Sequence, residues 1–153
     1  MKYYYTYSTL QGSFTIVEES GYIVSIHQQK SDGIEKRTAL LDQTHQELEE
    51  FFSGKRKEFT IPYQLKGTTF QMKVWEYLET IPYGMVCSYQ DVAKGIRNEK
   101  ACRAIGRACH KNPIPFIVPC HRVVGKNKQL VGYGLGVSLK MKLLEIEREN
   151  RQL

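Results

Sequence analysis

Ser88-Tyr89-Gln90-Asp91-Val92-Ala93-Lys94-Gly95, followed by Ile96-Arg97-Asn98 and then Glu99-Lys100-Ala101-Cys102-Arg103-Ala104-Ile105-Gly106-Arg107-Ala108-Cys109, is the stretch whose reading decides the fold. Ser88 is a suitable cap for a short helix over Tyr89–Gly95. A second helix is predicted over Glu99–Cys109, so a tight turn joins two short helices, the pattern of a helix-turn-helix. At helical spacing Lys100, Arg103 and Arg107 form one row, which Lys111 extends. Ile105, Ala108 and Cys109 point the other way, toward a core. Ala101, Ala104, Gly106 and Ala108 keep the helix thin, which permits close approach to a phosphate backbone. An ordinary amphipathic surface helix is the alternative. Charge and small residues together favour DNA contact.

Moving outward from the C-terminal side, Asn112-Pro113-Ile114-Pro115 forbids continuation of helix. Pro119-Cys120-His121-Arg122-Val123 then puts a thiol beside an imidazole. A thiolate is the nucleophilic form of cysteine, and a histidine can take its proton directly or through water. A buried structural cysteine with a neighbouring surface histidine is the alternative. Gly132, Gly134 and Gly136 precede a last helix from about Ser138 to Arg151. On the N-terminal side, Thr68 or Thr69 caps a helix carrying Phe70, Val74, Trp75 and Leu78, and Ile81-Pro82-Tyr83-Gly84 forms a turn.

Further out, the first segment reads as strands. Tyr3, Tyr5 and Tyr7 alternate with Lys2, Tyr4 and Thr6, a period of two. Gly12–Glu19 and Tyr22–His27 are β-branched and aromatic runs broken at Ser20-Gly21, a hairpin turn. From Leu40 to Phe52 the period changes to that of a helix, with Leu41, Leu48, Phe51 and Phe52 near one face. Lys55–Lys66 is charged, contains Pro62, and reads as a linker. The expected organisation is an N-terminal α/β domain over 1–62 and a mostly helical domain over 63–153.

The charge divides along the same line. The 153 residues carry a net charge of +6, yet residues 1–62 hold seven Lys+Arg against nine Asp+Glu, and residues 63–153 hold fifteen against seven. A basic half points to an anionic partner, nucleic acid first. A hydrophobic fraction of 41% and only four cysteines exclude disordered and disulfide-scaffold classes. No apolar run approaches the roughly 20 residues of a membrane span. The tyrosine-rich start lacks the apolar core of an export signal, so the cysteines are expected reduced in a cytoplasm.

Pro119-Cys120-His121-Arg122-Val123 resembles the active-site motif of the O6-alkylguanine-DNA alkyltransferases (the methylated-DNA--protein-cysteine methyltransferase family). Gly67-Thr68-Thr69-Phe70-Gln71, Val74-Trp75, Ile81-Pro82-Tyr83-Gly84, Ser88-Tyr89, Arg103-Ala104-Ile105-Gly106, Asn112-Pro113, Gly132-Tyr133 and Lys142-Leu143-Leu144 resemble that family in order and spacing. The likeness covers about residues 63–151. It implies an α+β protein: a small antiparallel sheet with a helix, ribonuclease H-like, followed by a winged-helix-like domain.

The resemblance also implies a chemistry. A monomer, alone or cooperatively along DNA, would bind duplex DNA in the minor groove and rotate an O6-alkylated guanine into a pocket. Arg103 matches the arginine that replaces the extruded base, with Lys100, Ala104 and Arg107 on the same DNA face. Cys120 would take the alkyl group, His121 would act as base through a water, and Glu147 would orient the histidine. Tyr89 matches the tyrosine that donates toward N3 of the base. Tyr133 matches the pocket residue near O6, and Asn112 matches the brace of the turn before Cys120. Pro115, Val123 and Gly134 would line the pocket, where Leu135 adds bulk and favours small alkyl groups over benzyl. O4-alkylthymine is an implied second substrate. No cofactor and no metal are expected: no Cys-x-x-Cys pair occurs, and residues 1–62 contain no cysteine. Cys87, Cys102 and Cys109 are expected to be small buried residues.

Two departures stand out. Many members have consecutive glycines where this chain has Gly134-Leu135-Gly136, and the Gly-Asn-Pro turn between the two short helices is absent. Competing readings are a damage-binding relative without transfer, a helix-turn-helix regulator and a cysteine hydrolase. The first lacks the acceptor cysteine that is present here, the second leaves Cys120-His121 unexplained, and the third lacks an oxyanion motif.

Overall fold

Alternating tyrosines become strand β1 (Lys2–Thr9), which pairs antiparallel with β2 (Gly12–Glu19) from Lys2↔Glu19 to Thr9↔Gly12. The structure is a computed structural model and describes residues 1–126 and 133–151; Gly132, one of the glycines singled out in the sequence, lies outside the described residues. Ser20 and Gly21 both take positive φ, 54° and 84°, and turn the chain into β3 (Tyr22–His27). Two left-handed residues match the twist of the flanking strands, which is why the hairpin closes there. The two-residue β4 (Ile34–Glu35) adds to the other edge of β1 in parallel, giving the order β3-β2-β1-β4. The sheet is therefore mixed, whereas the sequence predicts an antiparallel one; two residues are too few to show a period.

Helix α1 (Ala39–Phe52) starts at Thr38, whose hydroxyl accepts from the Leu41 amide, and it buries Leu41, Leu48, Phe51 and Phe52. Phe52 lies 6.3 Å from Phe14 of β2, ring centre to ring centre. The Lys55–Lys66 segment does not behave as a linker. Ile61 is buried, the Glu47 carboxylate accepts from the Thr60 amide at 2.7 Å, and Ile23 exchanges backbone hydrogen bonds with Pro62 and Gln64. The first compact unit accordingly runs Met1–Lys66 and the second Gly67–Leu153.

In the second unit the caps appear where the side chains allow them. Thr68 and Gln71 form a reciprocal capping box at the start of α2 (Thr69–Leu78), and Ser88 and Asp91 do the same for α3 (Tyr89–Gly95). Trp75 of α2 is buried and donates its indole N–H to the Ala108 carbonyl at 2.9 Å. Ala108 belongs to α4 (Cys102–His110), which begins three residues later than expected. Its cap position is Ala101, which has no side-chain acceptor, and the chain before it turns through Arg97 at φ 58°. Lys100 thus precedes the helix, and the continuous basic row reduces to Arg103 and Arg107, with Lys111 at the C-cap. The short strand β5 (Cys87–Ser88), just before α3, pairs in parallel with β6 (Val123–Val124), and α5 (Val137–Asn150) follows as the last helix. No helix among the described residues is long and apolar enough to cross a membrane.

Candidate active site

The approach to Cys120 is a braced turn. The Asn112 amide donates to the Val118 carbonyl at 2.8 Å, and its carbonyl oxygen accepts from the Ile114 amide at 3.0 Å. One side chain thereby ties both ends of Ile114–Val118. Phe116, buried within that turn, is held at φ 75°, a conformation that bulky residues adopt only when their surroundings enforce it. Pro119 then leads into a single turn of 3-10 helix, Cys120–Arg122. That tight turn sends three consecutive side chains in three directions, so thiol and imidazole are neighbours in the chain with separate surroundings.

Behind Cys120 lies a buried ionic cluster. His121 is fully buried, and its Nε2 sits 2.6 Å from Oε2 of Glu147, itself 1% exposed. Arg122 donates through Nε to Oε1 at 2.8 Å and through Nη2 to Oε2 at 3.0 Å, a bidentate clamp. Its Nη1 donates to the Ile81 carbonyl at 2.7 Å, and the Gly84 amide donates to Glu147 Oε1 at 3.0 Å. Burial by itself would raise the Glu147 carboxyl. The hydrogen bonds and charge of His121 and Arg122 outweigh it, and the group stays ionised well below the usual carboxylate range. Burial lowers His121, with Glu147 pulling the other way, so the imidazole is neutral near pH 7. An N–H at Nε2 pointing to Glu147 leaves the basic lone pair on Nδ1.

In front of Cys120 is a cavity of about 250 Å³ lined by Tyr89, Gly106, Cys109, His110, Cys120, Tyr133 and Gly134. Burial pushes the Cys120 thiol up, while Asn112, Tyr133 and the charge of Lys140 push it back. Tyr89 is raised to about 12 by burial and by the nearby thiols, so its phenol keeps its proton. Neither wall glycine has an internal steric reason to be glycine. A Cβ at Gly106 would come no closer than 3.8 Å to Tyr89, and one at Gly134 would lie 3.5 Å from the His110 carbonyl.

These two units and this site place the chain among known proteins. Residues 1–65 match the ribonuclease-like domain of 6-O-methylguanine DNA methyltransferase, and residues 69–149 match its DNA binding domain. The chain belongs to the 6-O-methylguanine DNA methyltransferase family. It is 43% identical to the constitutive methylated-DNA--protein-cysteine methyltransferase of Bacillus subtilis (strain 168), over 97% of this chain and 96% of that protein. The methylated-DNA--protein-cysteine methyltransferase of Mycobacterium leprae is 48% identical over 67% of this chain and 62% of its own length. Among solved structures, Mycobacterium tuberculosis OGT in complex with DNA superposes with a TM-score of 0.89 at 35% identity, covering 97% of this chain and 94% of that one.

Within this 6-O-methylguanine DNA methyltransferase fold, the structure joins His121 to Glu147, places Tyr89, Tyr133 and Gly134 around Cys120, and leaves Asn112 beneath the turn. Pro115, Val123 and Leu135 are not among the residues lining this cavity. Arg103 and Arg107 are exposed on α4, and Ala104 lies partly buried between them. Cys87, Cys102 and Cys109 are only partly buried, not the core residues expected, and Cys109 faces the cavity. No group of three or more metal-ligating side chains occurs among the described residues. Arg122 and Lys140 were not singled out in the sequence. A basic residue beside a histidine carries no sign of burial, whereas Lys140 on the Leu143-Glu147 face of α5 could have been found from its helical spacing.

Proposed function

We propose that Cys120 is the acceptor through which this chain repairs DNA by direct reversal, taking the alkyl group from O6-alkylguanine in duplex DNA after the base has left the stack. The observation that carries the assignment is a buried thiol opening on a cavity, with a neutral imidazole and its ionised carboxylate directly behind it. His121, through a water, accepts the Cys120 proton. The sulfur attacks the alkyl carbon, the S–C bond forms as the C–O6 bond breaks, and guanine leaves with the electron pair. Tyr89, protonated at neutral pH, donates toward N3 of the departing base, and the proton held by His121 restores the balance. The resulting thioether has no route to hydrolysis, so each molecule acts once. Tyr133 and Gly134 flank the reacting centre, Asn112 holds the turn, and Arg103 fills the gap left by the extruded base, with Arg107, Ala104 and Lys100 beside the backbone. O4-alkylthymine is a second substrate, and the protein works as a monomer in the cytoplasm.

A duplex carrying O6-methylguanine, mixed with the protein and followed by peptide mass spectrometry, tests the assignment. One methyl per chain on the Cys120 peptide is expected; DNA binding without an adduct there would overturn it. Cys120→Ala should bind DNA and transfer nothing. His121→Ala should slow transfer by about 10²–10⁴-fold, the usual scale of general-base help.

A further inference from the structure

Helix α4 carries two stripes that converge on one side chain. Arg103, Arg107 and His110 recur at helical spacing, and all three are exposed. Gly106, Cys109 and His110 form the neighbouring stripe, and these line the cavity in front of Cys120. His110, the last residue of α4, belongs to both. It stands where the basic face of the helix meets the reaction cavity. Its neighbour across the opening is Gly134. A Cβ built on Gly134 would lie 3.5 Å from the His110 carbonyl and 4.0 Å from Nδ1 and Cε1 of the ring, so the imidazole borders the space that a side chain there would fill.

Depth decides which part of a nucleotide reaches this ring. Cys120 is 5% exposed and forms the floor of the cavity, whereas His110 and Gly134 are exposed and form its rim. For the sulfur to attack the alkyl carbon, the O6 edge of the base must point to the floor. The glycosidic side of the purine then lies at the rim, and with it the sugar and its phosphates. Of the two exposed lining residues, His110 is the one with a side chain.

We propose that His110 is a binding residue for the extruded nucleotide: its imidazole donates a hydrogen bond to a phosphate oxygen beside the flipped sugar and holds the base at the depth where Cys120 reaches it. This rests on the reading of Cys120 as acceptor. A ring N–H is present in neutral and in protonated imidazole alike, so the contact needs no particular protonation state. Donation to an ionised phosphate is stronger than donation to a neutral acceptor. The role differs from those proposed for Arg103 and Arg107, which meet the duplex, whereas His110 meets the nucleotide that has left it.

A double-mutant cycle between side chain and phosphate tests the contact. Wild type and His110→Ala, as full chains, are each mixed with three methyl donors. These are a duplex carrying O6-methylguanine, the same duplex with uncharged methylphosphonates on both sides of the lesion, and the free base O6-methylguanine, which has no sugar or phosphate. Methylation of Cys120 is timed by peptide mass spectrometry. On the all-phosphate duplex His110→Ala should slow transfer roughly tenfold, the scale of one hydrogen bond to a charged group. The loss should shrink to about threefold or less on the methylphosphonate duplex, where a neutral acceptor remains. On the free base it should vanish, which also shows that the variant keeps an intact pocket. A tenfold loss that persists on the methylphosphonate duplex or on the free base would overturn the proposal, as would His110→Ala equal to wild type throughout. Wild type that methylates Cys120 from none of the three donors refutes the acceptor reading; transfer without a phosphate-dependent loss in His110→Ala refutes only the role of His110.

Discussion

Glu147 accepts hydrogen bonds from His121, from two nitrogens of Arg122 and from the Gly84 amide, so its removal strands a buried guanidinium. Glu147→Gln should therefore destabilise the protein by about 3–5 kcal/mol, read as a lower urea midpoint at pH 7. A loss under about 1 kcal/mol would mean that Arg122 finds water instead. The same cluster sets an acid limit. His121 is lowered in the folded state, so unfolding takes up a proton as pH falls below about 6.5. Glu147 is lowered too, so its contribution is complete above about pH 4.3 and is lost as pH falls further. Both act in one direction. Wild type should lose stability in two stages on acidification, and Glu147→Gln should lack the lower one; parallel curves for the two proteins would count against this account.

At the scale of elements, α4 carries the prediction about DNA. On the proposal that Arg103 stands in for an extruded base, Arg103→Ala should slow transfer from duplex far more than from single-stranded oligonucleotide, where no stack has to be refilled. Equal losses on both would remove Arg103 from that role. Arg107→Ala should instead weaken binding without sequence preference and reduce the salt slope by about one. Some of this was legible in the sequence. Thr68 with Gln71 and Ser88 with Asp91 sit three apart, so the chemistry of a capping box can be read from residue types and spacing alone. The start of α4 was not legible, because Ala101 has no capping side chain and the preceding turn depends on Arg97 adopting a left-handed conformation. The β5–β6 pair was equally hidden: two residues against two, far apart in the chain, leave no periodic trace. At the site, the Cys120-His121 pair is local and readable. The clamp of Arg122 on Glu147 exists only once α5 packs against the 3-10 turn.

For the whole molecule, the split of charge, a slightly acidic unit and a strongly basic one, places the electrostatic attraction in the unit that holds the thiol. The reaction then changes that unit permanently. A methyl added to a packed, buried sulfur is expected to destabilise the chain by about 1–3 kcal/mol. Calorimetry before and after reaction with O6-methylguanine duplex should show a lower melting temperature for the methylated form. An unchanged melting temperature would mean that the cavity absorbs the methyl without strain.

The two cavity glycines carry one more consequence. Gly106 lies inside α4, where alanine would stabilise the helix by roughly 0.8–1 kcal/mol, and nothing in the fold blocks the extra methyl. Gly106 also lines the cavity in front of Cys120, so a methyl added there would take up room beside the thiol. Gly106→Ala should raise the melting temperature while slowing repair, a rare case in which a sturdier chain is a poorer tool.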